Sequence, residues 1–309
     1  MAADESHEYI VPDSRQIADA QNELGSLRLL LAQRRLYSLS KRWLSLRWLG
    51  MLTIALMAPP VAIIWPKMAV IAGAIAGLWV FLGRTILLQL ERNRTEQAAA
   101  VQERFDFAVY SMPSSGRRAE LPSWEAISLL VGPDASIDSK AEKQKLKDWY
   151  PIDREQRGIV TVAICQRANV SYWDQLLKST AKVWIIVLIL WTIILVVAGL
   201  IIPLSLEQLL LGIALPLLPA ALDVWEYWVG IRRAGRERRA MSVAIEEKLA
   251  GNASQLESRD LLVWQERLFE LRRYSPQVPN LIYKLSRKRN EAAMTTAAQL
   301  LSRQVGHGN

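Results

Sequence analysis

Between Val183 and Leu206 the chain reads VWIIVLILWTIILVVAGLIIPLSL, without one charged residue. At about 1.5 Å per helical residue, ~20 apolar residues match a ~30 Å hydrocarbon core, where a helix satisfies its own backbone hydrogen bonds. A membrane helix is expected here, and it constrains everything around it. Upstream, Trp48 to Trp65 (WLGMLTIALMAPPVAIIW) and Met68 to Gly83 (MAVIAGAIAGLWVFLG) are also uncharged. A fourth stretch, roughly Leu209 to Gly230, carries Pro216, Pro219, Asp223 and Glu226 and is the most polar of the set. Turns at Pro66-Lys67 and Leu204 to Gln208 join these stretches in pairs. The expected architecture is therefore mainly α, with four transmembrane helices in two hairpins.

Basic residues beside spans stay cytoplasmic. Arg34, Arg35, Lys41, Arg42 and Arg47 precede the first span, and Arg84, Arg92 and Arg94 end the second. Lys178 and Lys182 precede the third, and Arg232, Arg233, Arg236, Arg238 and Arg239 follow the fourth. The turns hold only Lys67 and Glu207. This places both termini and the middle of the chain in the cytoplasm, and MAADESHEYIVPDS lacks the pattern of a cleaved signal peptide. The expected parts are an N-terminal helical segment (1–47), hairpin one (48–90), a middle region (91–182), hairpin two (183–230) and a helical tail (231–309).

One helix is expected from about Asp13 to Trp43, and a continuation of span two to about Val109. Lys140, Lys143 and Lys147 stand at helical spacings before Pro151. GIVTVAICQ, after Gly158 and dense in β-branched residues, reads equally as a short buried strand or a buried helix, so a small mixed α/β region is expected in the middle. In the tail, Leu261, Trp264, Leu268 and Leu271 mark an amphipathic helix, Pro276 and Pro279 break it, and Leu281 to Val305 supports another.

Several chemistries are excluded. The single cysteine, Cys165, allows neither an intramolecular disulfide nor a cysteine-rich zinc site, and His7 and His307 sit in the tails. Walker, GxGxxG, GxSxG and HExxH patterns are absent. No catalytic residue, metal or cofactor is expected, and the chain does not read as an enzyme. Between Glu91 and Lys182 acidic and basic residues nearly balance, which argues against DNA binding. Three polar features remain. Gly73-Ala-Ile-Ala-Gly77 permits close helix approach. Asp223 and Glu226, one turn apart, need an aqueous or protein partner at depth, or else lie in the headgroup zone. Arg34, Tyr37 and Lys41 project together, as a phosphate cradle or as an interfacial belt.

The polar motifs form an ordered set: Gln21-Asn22, LLLAQRRLYS (Leu29 to Ser38) with Lys41, QERFD (Gln102 to Asp106), DWYP (Asp148 to Pro151) and CQRANVSYWDQLL (Cys165 to Leu177). Arranged around two transmembrane hairpins, they resemble the SMODS-associating four-transmembrane effector family, from about Ile17 through span four. That resemblance implies a bacterial inner-membrane effector of antiphage defence. Such an effector would sense a cyclic oligonucleotide second messenger in the cytoplasm, then oligomerise or rearrange to permeabilise the membrane. Within the matching motifs, Arg34, Arg35, Tyr37, Gln102, Asp106, Gln166, Arg167, Asn169, Trp173 and Asp174 offer cations, amides and aromatics suited to phosphates and bases. Arg167 is the first choice for phosphate and Trp173 for stacking. The alternative for the same residues is a cap and packing network, with Asn169 or Ser171 as helix cap and Trp173 as core. Two other functions compete: a constitutive channel or transporter lined by Asp223 and Glu226, and a membrane-tethered lipid or nucleotide hydrolase.

Overall fold

The computed structural model describes residues 9–113, 116, 118–201, 205, 210, 214–252 and 255–307. Among them every regular element is a helix, with no strand. α1 (Ser14–Ala20) starts at Asp13, whose carboxylate accepts from the Gln16 amide while the Gln16 side chain accepts from the Asp13 amide. The expected single N-terminal helix is instead two, because Gln21 and Asn22 turn out of α1 and bind a distant loop. α2 (Leu24–Ile64) then runs unbroken into the first apolar stretch and contains Pro59 and Pro60.

After a short turn at Pro66–Met68, the chain returns through α3 (Ala69–Leu82) and α4 (Leu88–Tyr110). Residues Gly83–Leu87 join them as one π-helical turn, so α3 and α4 make a single rod packed along α2. π turns insert one extra residue per turn and often mark functional positions. α4 ends at Ser111, whose φ of 52° breaks the helix. α5 (Trp124–Val131) and α6 (Ile137–Lys143) are short. The lysine-rich segment leaves the helix after Lys143, since Lys145 and Asp148 adopt positive φ.

α7 (Gly158–Ile201) corrects the expected mixed α/β region: GIVTVAICQ is its first turns. Val160, Val162, Ala163, Ile164 and Cys165 are all buried, so these turns are apolar around the helix and enclosed on every side. A lone strand here would leave its backbone groups unpaired, whereas a helix satisfies them internally. Gly158 is required, because a Cβ there would lie 1.9 Å from the Pro12 carbonyl oxygen. α8 (Leu215–Asn252) packs along α7, followed by α9 (Ser258–Arg273) and α10 (Asn280–His307). The turn from Leu204 to Gln208, apart from Ser205, and the start of the fourth span lie outside the described residues.

Below the apolar stretches, one core joins Leu30 and Leu36 of α2, Phe105 of α4, Ile127 of α5, Val160 of α7, Ile245 of α8 and Leu268 of α9. Each such side chain contributes about 1.5–3 kcal/mol on burial. At the boundary Trp48, Trp184 and Tyr227 meet at centroid distances of 4.4 to 5.7 Å, tying α2, α7 and α8 together. Beyond them the surface turns apolar, with Leu56, Ile75, Leu78, Leu190, Ile193 and Ile194 exposed. Among the described residues three helices are long and apolar enough to cross a membrane, over Leu24–Val61, Val70–Tyr110 and Gly158–Ile201. In the first hairpin a Cβ on Gly50 would fall 2.0 Å from the Trp79 indole, while one on Gly73 or Gly77 would meet nothing within 4 Å. Gly50, not the Gly73–Gly77 face, carries the close helix contact within this chain.

Candidate functional site

The sequence motifs converge on one buried polar network under the membrane helices. Asn22 and Gln21 clamp the DWYP loop through its backbone. The Asp148 amide donates to the Asn22 side chain at 3.0 Å, and the Tyr150 amide donates to Gln21 Oε1 at 2.9 Å. This clamp aims the Tyr150 hydroxyl inward, where it donates to Asp106 Oδ1 at 2.7 Å. The other Asp106 oxygen accepts from Gln265 Nε2 at 2.9 Å and from Arg272 Nη1 at 2.6 Å. Gln166 Nε2 donates to Gln265 Oε1 at 3.0 Å and to the Leu261 carbonyl at 2.9 Å. Alongside, Tyr37 donates to Gln102 Oε1 at 3.3 Å. α1, α2, α4, α7 and α9 and the DWYP loop are thereby cross-linked through polar groups.

The electrostatics follow from burial. Asp106 is fully enclosed and Arg272 is 3% exposed. Burial opposes the Arg272 charge, yet Asp106, Tyr150 and Tyr37 outweigh it and hold its pKa above the ordinary value. Burial pushes the Tyr37 hydroxyl up to about 12, with Arg272 and Arg238 working the other way. Arg238 is likewise buried; it donates to the Ala234 and Leu271 carbonyls and forms no ion pair among the described residues. Burial lowers its pKa to about 10. Cys165 lies in the same interior, and burial pushes its thiol up.

The remaining expected residues separate. Arg34, Tyr37 and Lys41 do not form a cradle: Arg34 donates to the Gln144 carbonyl, Tyr37 faces Gln102, and the Lys41 ammonium lies over the Tyr283 ring. Arg35 is exposed. Asn169 and Ser171 cap nothing, because both lie inside α7; Asn169 is buried and Ser171 meets Ser242. Asp174, also mid-helix, pairs with Lys178. Trp173 is half-buried, with its ring 6.4 Å from Tyr37. Arg167 makes an ion pair with Glu246 of α8, Nε donating at 2.7 Å, and the Ser242 hydroxyl donates to the same carboxylate.

Asp223 and Glu226 find their partner in Arg84 of the π turn. Its Nε donates to Asp223 at 2.8 Å and its Nη2 to Glu226 at 3.1 Å. Spacing in α8 revealed the two carboxylates but not the arginine that joins them from the π turn between α3 and α4. Arg272 and Gln265 were missed as well. Their signal is present in α9: Leu261, Gln265, Leu268 and Arg272 recur at i, i+4, i+7 and i+11, so two polar residues share the apolar face.

The SMODS-associating 4TM effector domain matches residues 15–301. The chain belongs to that family. The match runs well beyond span four, through the tail that supplies Gln265 and Arg272. A Bacillus cereus (strain VD146) protein named "Probable CBASS effector molecule" is 22% identical over 296 residues, covering 89% of this chain and 95% of its own length. No solved structure matches. Family membership and the three long apolar helices make this a membrane effector.

Proposed function

We propose that the protein is an effector of bacterial antiphage defence that binds a cyclic oligonucleotide in the cytoplasm and permeabilises the inner membrane. The observation that carries this reading is α7: one continuous helix places the Arg167–Glu246 pair at one end and a largely exposed apolar stretch at the other. In this topology both termini and the body 91–182 face the cytoplasm, and the four spans form two hairpins. A messenger phosphodiester carries the same single charge as the Glu246 carboxylate and takes the Arg167 fork in the same way, so it competes for Arg167. The messenger's further phosphates and bases add contacts that one carboxylate lacks. Displacing Glu246 removes one of several ties between α8 and α7 and loosens their packing, and both helices continue toward the second hairpin. Tyr37 and Trp173 supply aromatic faces for bases, with Arg34 and Arg35 as further cations. The buried Asp106, Gln102 and Gln166 hold the helices that carry them, and Asn169 and Asp174 lie buried on α7 between Arg167 and the apolar stretch. The ligand shifts the spans only by binding the open arrangement more tightly than the closed one, and oligomerisation of open chains completes the breach.

The test is dye release from vesicles containing purified protein, across a panel of cyclic di- and trinucleotides. One of them triggers release, Arg167→Ala abolishes the response to it while the chain still folds, and Glu246→Gln lowers the messenger concentration needed. Silence across the panel, or release by Arg167→Ala at unchanged messenger concentration, overturns the proposal.

A further inference from the structure

α8 leaves the apolar zone carrying five arginines between 232 and 239, and the fold gives them different fates. Arg238 turns into the body. Arg233 pairs with Glu237 at 3.1 Å. Arg232, Arg236 and Arg239 stay exposed and, among the described residues, form no ion pair. Their spacing of four and three residues puts them on one face, roughly 10 Å from first to last. The same face continues upward through Val229 to Trp225, 42% and 52% exposed. Trp225 and Trp228 pack at 5.1 Å, and the Arg232 guanidinium lies 4.9 Å above the Trp228 ring.

The geometry points to an anionic phospholipid headgroup as the occupant of this stripe, with its acyl chains against Trp225 and Val229 and its phosphate among Arg232, Arg236 and Arg239. Three features favour lipid over other anions. The tryptophans mark the interfacial level, and Arg232 lies one turn beyond Trp228, about 6 Å, which is the depth of the headgroup layer. Helical side chains tilt toward the N-terminus, so on a helix leaving the membrane all three arginines lean back toward the bilayer. The apolar and basic parts of the face are continuous, matching an amphiphile instead of a soluble ion. Occupancy holds α8 at a fixed depth and so acts on the same helix that carries Glu246, Asp223 and Glu226. This inference rests on the membrane reading above.

The full chain in neutral detergent is titrated with phosphatidylglycerol, phosphatidylcholine or inorganic phosphate while thermal unfolding is followed, and its incorporation into vesicles is measured separately. Phosphatidylglycerol raises the unfolding temperature and phosphatidylcholine does not. Replacing Arg232, Arg236 and Arg239 with Gln raises the half-maximal phosphatidylglycerol concentration roughly a hundredfold, about fivefold per arginine. Replacing exposed Lys143, Arg157 and Arg259 with Gln removes the same charge and leaves it unchanged. Equal loss in both triple variants, equal response to both lipids, or an equal response to inorganic phosphate overturns the lipid site while leaving the membrane reading intact. Failure to incorporate into vesicles at all overturns that reading itself.

Discussion

Replacing Asp106 with Leu removes the carboxylate at the centre of the network. Asp106 accepts three hydrogen bonds, from Tyr150, Gln265 and Arg272, at 2.6 to 2.9 Å. It supplies the only ion pair of Arg272 among the described residues, while Arg272 Nε and Nη2 have no hydrogen-bond partner. Breaking a buried pair from one side leaves an uncompensated charge and costs about 3–5 kcal/mol. The two neutral donors left behind add about 1–3 kcal/mol each where water does not reach them. At roughly 2–4 °C per kcal/mol, the apparent unfolding temperature in detergent falls by at least about 10 °C. Adding Arg272→Met removes the stranded charge, and the double variant regains at least half of the loss, because buried pairs are often replaceable by apolar residues. Intrinsic tryptophan fluorescence during heating reads both. If the double variant is as unstable as the two single losses added together, the charge-pair reasoning is wrong.

Three further outcomes are expected. Arg84→Glu places a third acidic group beside Asp223 and Glu226 and raises messenger-independent dye release, and Arg84→Asp combined with Asp223→Arg reverses the effect; unchanged basal release would show that the clasp does not hold the hairpins closed. Lys41 is 8% exposed and its pKa is lowered to about 8, first by burial and then by Arg34. A depressed folded pKa means its stabilisation is complete above the unfolded value of 10.5 and is lost as pH falls toward 8. The wild type therefore gains up to about 3 kcal/mol relative to Lys41→Met between pH 8 and 10.5, read as diverging unfolding temperatures. Gly50→Ala overpacks against Trp79 and costs about 1–3 kcal/mol, whereas Gly77→Ala meets no neighbour and does not lower the unfolding temperature of the monomeric protein.

The apolar helices were legible because lack of charge over a bilayer's length has few other meanings, and the α9 and α10 tail because its periodicity is strong. GIVTVAICQ was not, since β-branched residues favour strands locally and only its enclosure in the core, against the start of α1 and against α9, makes a helix the better solution. The break at Gln21-Asn22 depends on Asp148 and Tyr150, far along the chain, so no local pattern announces it. The site was half legible. The motifs named Tyr37, Gln102, Asp106 and Gln166, but sequence order could not show that they face one another instead of open solvent. Arg84, Gln265 and Arg272 come from segments read as membrane flank or tail, and only the fold brings them beside their carboxylate and amide partners.

The account turns on α2 and α7 transmitting the state of the body into the bilayer as unbroken rods. Replacing Ala181, Lys182 and Val183 with Gly softens α7 between its polar and apolar halves without touching the network, at a cost of about 1 kcal/mol per residue. Messenger binding by calorimetry and dye release are then measured on one preparation. The account predicts binding at wild-type affinity with release abolished; release that persists at the wild-type level would contradict it.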